Sequence, residues 1–343
     1  MSHYSPDKPA PNPRRWKRLA IIIALVITII GLALGLGLGI GLRKSDDDDD
    51  EDDSGNVPER TEKWEPEVGA SWQIILRSPI DLSDPDALTP DVDVYDLDLY
   101  DNDAEVFTEL RRMGKRVICY FSAGSYEDYR PDSDDFDEDD MGGELDGWPG
   151  ERWLKLSSPR VRDIMAKRIK LASDKGCDAI DPDNVDGFVS PFPTKTLLSI
   201  PPANPIFPRT QQNEENDLGL TTEDSTSFVK FLSAEAAKYK MAVGLKNAGD
   251  IIPDVLSVID FSVNEQCAQY DECETFAAFI DDGKPVFQIE YPRGAPNDLK
   301  SDAADKSCDA KGAGDFSTVL KAMELDGWVQ YCDGKSYKTE VDK

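Results

Sequence analysis

Between residues 71 and 322 the chain alternates eight short β-rich runs with helical stretches, and this alternation limits the fold more than any other feature. The runs are SWQIILR (71–77), VDVYDLDL (92–99), RVICYFS (116–122), CDAIDPD (177–183), MAVGLKN (241–247), VIDFSVN (258–264), PVFQIEY (285–291) and FSTVLKA (316–322). The intervening patterns predict helices over 104–113, 159–174, 222–238 and 273–280. Strands that read as near-continuous apolar runs, joined by helical crossovers, imply a parallel sheet covered on both faces. Eight of them in one domain predict an α/β fold, a (β/α)8 TIM barrel.

In such a barrel the chemistry sits at the carboxyl ends of the strands. Those ends carry Asp96 and Asp98, Tyr120 and Ser122, Asp181 and Asp183, Lys246 and Asn247, Asn264 and Glu265, and Glu290. Unpaired charges are expensive inside a barrel, so these residues are expected to line one mouth. The segment DPDNVD (181–186) reads either as a loop of helix-capping residues or as a pair of working acids. NEQC (264–267) places Glu265 beside a cysteine, and Lys246 reads either as a charge neutraliser or as a substrate contact. Trp72 and Trp148 are expected to stack on a sugar face, with a core role for the tryptophans as the alternative.

The chemistry is narrowed further by the single histidine, His3, which lies in the N-terminal tail. No imidazole-dependent nucleophile or histidine-ligated zinc site can be built in the body of the chain. Proton transfer near neutral pH then falls to carboxylates, which are abundant, and no metal or cofactor is required. A formal net charge of −30 argues against nucleic acid and for a cationic or neutral partner. Two carboxyl groups facing one pocket are what glycosidic cleavage needs, and crowding them raises the pKa of one so that it can serve as acid.

Residues 19–42 carry no charge, and as a helix this run is about 36 Å long, enough to cross a bilayer. Basic residues (Lys8, Arg14, Arg15, Lys17, Arg18) precede it, and an acidic run follows at 46–53. The expected organisation is therefore a cytoplasmic tail (1–18), a transmembrane helix (19–42), an acidic linker (43–63) and a catalytic domain (64–334), with single-pass type II topology and the domain outside the cell. All six cysteines lie in that outer part, where disulfides persist. Six cysteines allow fifteen pairings; the working guess is Cys119–Cys177, Cys267–Cys273 and Cys308–Cys332.

The segments RVICYFSAGSYEDYRPD (116–132), GWPGERWLKL (147–156), DAIDPDNVDGF (178–188), GLKNAGD (244–250), VNEQC (263–267), YDEC (270–273) and VFQIEY (286–291) together resemble glycoside hydrolase family 114, over residues 64–332. The resemblance implies an endo-α-1,4-polygalactosaminidase or α-galactosidase-like barrel acting on galactosamine-rich polysaccharide. It implies Asp183 as nucleophile and Glu265 as general acid/base, with Asp98, Tyr120, Asp181, Asn184, Lys246, Asn247 and Glu290 shaping the sugar subsites. Fungal members carry a similar membrane anchor, and a monomer is expected. Asp181 stands where a glutamate is expected in similar proteins. The proline-rich stretch 190–220 reads as a lid or cleft wall beside the site. Two other readings are a non-catalytic surface barrel that traps cationic polymer and a Mg²⁺-dependent aspartyl phosphatase using Asp181 and Asp183.

Overall fold

The structure, a computed structural model, describes residues 61–188 and 216–342. The apolar run 19–42 and most of the proline-rich stretch lie outside the described residues. Among the described residues no helix is long and apolar enough to cross a membrane.

Eight parallel strands occur where the alternation places them: β1 (Trp72–Ile75), β2 (Val94–Asp98), β3 (Arg116–Ser122), β7 (Ala179–Asp183), β8 (Ala242–Lys246), β9 (Phe261–Glu265), β10 (Val286–Glu290) and β11 (Ser317–Leu320). They follow one another side by side in chain order and are continued by two antiparallel strands, β12 (Trp328–Tyr331) and β13 (Ser336–Lys338). The sheet curls until β1 meets β11. The Trp72 indole N–H donates to the Ser317 carbonyl at 2.7 Å, the Tyr331 hydroxyl to the Trp72 carbonyl at 2.8 Å, and the Leu76 N–H to the Leu325 carbonyl at 3.0 Å. The result is a TIM-barrel-like α/β architecture.

Alternate residues on each strand serve two separate apolar layers. Trp72, Ile74, Ile118, Phe261, Phe287 and Val319 belong to a cluster without helix residues, inside the curl. Ile75, Leu97, Val117 and Phe121 join helix residues such as Phe107, Ile164 and Phe228 outside it. Burial on both faces is why the strands read as continuous apolar runs. Gly244 makes the inner layer possible, since a Cβ there would sit 2.5 Å from the Phe261 ring.

The helices are α1 (Ala104–Arg112), α2 (Pro159–Lys175), α3 (Thr222–Ala237), α4 (Ile252–Val255), α5 (Cys267–Tyr270), α6 (Cys273–Asp281) and α7 (Ser301–Cys308). Their ends follow local chemistry. Ser158 caps α2 with proline next in the helix, and α2 stops at Gly176, whose φ is 98°. Thr221 and Asp224 form a reciprocal capping box on α3. Two departures from the expected pattern stand out. The link between β1 and β2 holds only a 3-10 turn at Pro85–Ala87. After β3 the chain builds a separate antiparallel sheet from β4 (Ser125–Glu127), β5 (Met141–Glu144) and β6 (Glu151–Leu154), where short, glycine- and acid-rich segments hide any period-2 signal. The disulfides are Cys119–Cys177, Cys267–Cys273 and Cys308–Cys332.

Candidate active site

Strands β3, β7, β8 and β9 are neighbours, so Tyr120, Asp183, Lys246 and Glu265 emerge together at one end of the sheet. The Lys246 ammonium touches both acids, at 3.0 Å from Asp183 Oδ2 and 3.4 Å from Glu265 Oε2. One nitrogen contacting both means the two oxygens are no further apart than those distances added. Lys246 is almost sealed, at 2% side-chain exposure, whereas Asp183 and Glu265 keep 16% and 19% open to the mouth. Burial alone would lower the lysine pKa; Asp183, Glu265 and Asp181 outweigh it and hold the ammonium charged.

Each acid is further fixed. The Tyr120 hydroxyl donates to Asp183 Oδ2 at 3.0 Å, and the Asn184 backbone N–H to Asp183 Oδ1 at 2.7 Å. Glu265 accepts from the Tyr291 hydroxyl at 2.6 Å and from the Asn247 amide at 3.1 Å, while the Asn247 side-chain oxygen accepts the Glu265 N–H at 2.9 Å. Burial, then the charge of Asp183, pushes the Tyr120 hydroxyl well up, so it remains a donor.

The backbone is held in uncommon conformations at these same strand ends. Asn184, Asn247, Ala248 and Gln266 directly follow the strands bearing Asp183, Lys246 and Glu265, and all have left-handed φ, from 51° to 62°. Left-handed non-glycine residues are costly and gather at functional sites. Gly124 admits the turn beside Asp183, because a Cβ there would lie 1.7 Å from the Asn184 carbonyl oxygen.

The remaining residues expected at the mouth divide into two groups. Asn184 and Asn247 stand in it, where the Asn184 amide donates to the Ser122 and Ser125 hydroxyls, each at 3.0 Å. The others are not brought there, and Asp96, Ser122 and Asn264, expected at the same mouth, are buried. Trp72 is 1% exposed inside the curl, its ring tilted against Phe287 and its N–H on Ser317. Both Asp98 oxygens are clamped by Arg130, at 3.0 and 2.7 Å. Glu290 is buried and accepts from the Gln288 amide and the Ala268 N–H, each at 2.8 Å; burial pushes its pKa up to about 7. Asp181 is fully buried, with no solvent-facing oxygen to share a ligand with Asp183 as an aspartyl phosphatase requires. Trp148 is 55% exposed in the loop between β5 and β6. Tyr291 went unselected in the sequence, although it directly follows the seventh parallel strand and would point to the same side as Glu290's neighbours by alternation. Glu151 was also missed; Ser125 donates to it at 3.1 Å, and burial followed by the charge of Glu127 raises it to about 7.

Two solvent-touching carboxylates bridged by a buried ammonium, without imidazole, match glycosidic chemistry. The profile of Glycoside-hydrolase family GH114 matches residues 54–337. The chain belongs to that family. It is a glycoside hydrolase, and its GH114 domain has solved relatives. Aspergillus fumigatus Ega3, crystallised in complex with galactosamine, is 46% identical and superposes with a TM-score of 0.68, covering 79% of this chain and 98% of that one. The glycoside hydrolase domain of PelA from Pseudomonas aeruginosa, 14% identical, shares the GH114 domain's fold with a TM-score of 0.53 over 79% of this chain and 99% of its own. No curated protein matches the chain.

Proposed function

We propose that this glycosidase cleaves α-1,4-linked galactosamine polymer from within, with Asp183 as nucleophile and Glu265 as general acid/base. The bridging of both carboxylates by the single Lys246 ammonium carries the reading. The two contacts cap the separation of the nearest oxygens just under the about 6.5–9.5 Å that leaves room for an inverting water, which supports the retaining course. Asp183 attacks the anomeric carbon while Glu265 protonates the departing glycosidic oxygen. Glu265 then takes a proton from water, which releases the sugar from Asp183 with its configuration kept. The galactosamine complex of Ega3 supports the substrate class, as does a net charge of −30 that draws a polycation to the mouth. Residues 19–42 would anchor the domain to a membrane with residues 1–18 in the cytosol; carbonate-resistant sedimentation of the whole chain, lost when those residues are removed, tests this.

The deciding assay incubates the protein with galactosamine polymer and with a simple α-galactoside and sizes the products by mass spectrometry. Short galactosamine oligomers are expected from the polymer. Asp183→Asn and Glu265→Gln should each cut kcat by about a thousandfold or more, and undiminished cleavage would remove them from the mechanism.

A further inference from the structure

One layer below the working carboxylates, two more acids are shut inside the curl of the sheet. Asp96 on β2 and Asp181 on β7 both have zero solvent exposure. Only β3 separates their strands, its Ile118 in register with Asp96 and its Tyr120 with Asp181. Each carboxyl acts on the other across this short span. Among the described residues, no group donates a hydrogen bond to any of their four oxygens. The charged groups that face them are Lys246 from β8, Asp183 from β7 itself and Glu265 from β9.

Both acids cannot be ionised there. Two neighbouring desolvated carboxylates repel, and the one lysine nearby is already shared by Asp183 and Glu265. Nor does full neutrality suit the site, because Asp181 is one of the three carboxylates whose charge keeps the buried Lys246 protonated. A single proton between the two satisfies both demands, donating from one carboxyl to the other and leaving one negative charge under the lysine. We propose that Asp96 and Asp181 hold one proton in common, with Asp96 the donor and Asp181 the charged acceptor, and that this single charge positions Lys246 between Asp183 and Glu265. Burial, then the charge of Asp181, drives the Asp96 carboxyl well above the usual range; burial raises Asp181 too, with Lys246 opposing. The pair is thus a positioning device that never meets the sugar.

The proposal rests on Asp183 and Glu265 being the working pair, and two measurements separate its failure from theirs. In wild-type protein labelled with 13C at the aspartate carboxyls, one buried aspartate is expected to remain protonated at pH 8 and to disappear from the spectrum in Asp96→Asn. Finding none or two protonated overturns the shared proton, whatever the enzyme hydrolyses. The pH profile of kcat/KM gives the second reading. Asp96→Asn keeps a donor toward Asp181 and no charge, so both limbs should stay in place. Asp181→Asn removes the charge, which favours ionisation of the acids above it and moves both limbs down by about half a unit or more. Equal movement in the two variants, or none in Asp181→Asn, overturns the assignment. If either variant does not fold, the wild-type resonances decide alone.

Discussion

Lys246 is the residue on which the electrostatics of the mouth turn. It is buried, touches both mouth carboxylates and has its charge upheld by them against the cost of burial. Lys246→Met would leave two carboxylates pressed together without a cation, so we expect a stability loss of about 3–5 kcal/mol in urea unfolding and a fall in kcat larger than any change in KM. Tyr291 acts more gently: losing its hydroxyl in Tyr291→Phe removes one charge-assisted hydrogen bond to Glu265 and should lower kcat by about 10- to 100-fold with the fold intact. The contrast between these two residues shows what the sequence makes readable. Lys246, Asp183 and Glu265 end strands of strong apolar character, so their place at the mouth follows from the barrel rule. Asp98 and Glu290 satisfy the same rule but are captured by Arg130 and Ala268, and Trp72, at the start of its strand, by Ser317, partners that lie far off in sequence or on unforeseen turns. Position along a strand is written locally; the competition for a side chain is not.

The strand-to-loop junctions hold the site by means of strain. Asn184 combines a φ of 60° with hydrogen bonds to Ser122 and Ser125. Asn184→Gly loses the amide contacts but also relieves the left-handed position of its Cβ, whereas Asn184→Ala loses the same contacts and keeps a Cβ there. Thermal unfolding should therefore rank alanine below glycine by about 1–2 kcal/mol; equal stabilities would show that the junction is relaxed. Elements of this kind were legible unevenly. The eight parallel strands and four main helices follow from apolar period and caps. The three-stranded sheet of residues 125–154 does not, because its strands are three or four residues long and are stabilised by packing and by contacts such as Arg152 with Glu138 rather than by any local preference.

For the molecule as a whole, acidity governs both stability and capture of substrate. Glu151 and Glu290 are pushed by burial from 4.5 to about 7. Raised folded values mean that the folded state binds more protons than the unfolded one between those limits, so their contribution is complete below about pH 4.5 and lost as pH rises to 7. Asp132 works the other way: burial would raise it, but Arg168 holds it low, and that contribution fades as pH falls below 3.8. The melting temperature should peak near pH 4–5 and decline by about several degrees toward pH 7.5, followed by calorimetry. Glu151→Gln together with Glu290→Gln should flatten that decline. Binding of a cationic polymer should likewise weaken between about 50 and 500 mM NaCl, seen as a rising KM that a fully N-acetylated polymer does not show.

The way the sheet meets itself also bears on how the chain is made. Trp72 waits for the carbonyl of Ser317, 245 residues later, and Gln73 for Lys321 and Thr339. At a synthesis rate of about 5–20 residues per second, the first strand spends about 10–50 s outside the ribosome with one edge unpaired. Until β11 has been made, that open edge is free to pair with neighbouring chains, so shielding it during translation should raise the yield of folded enzyme.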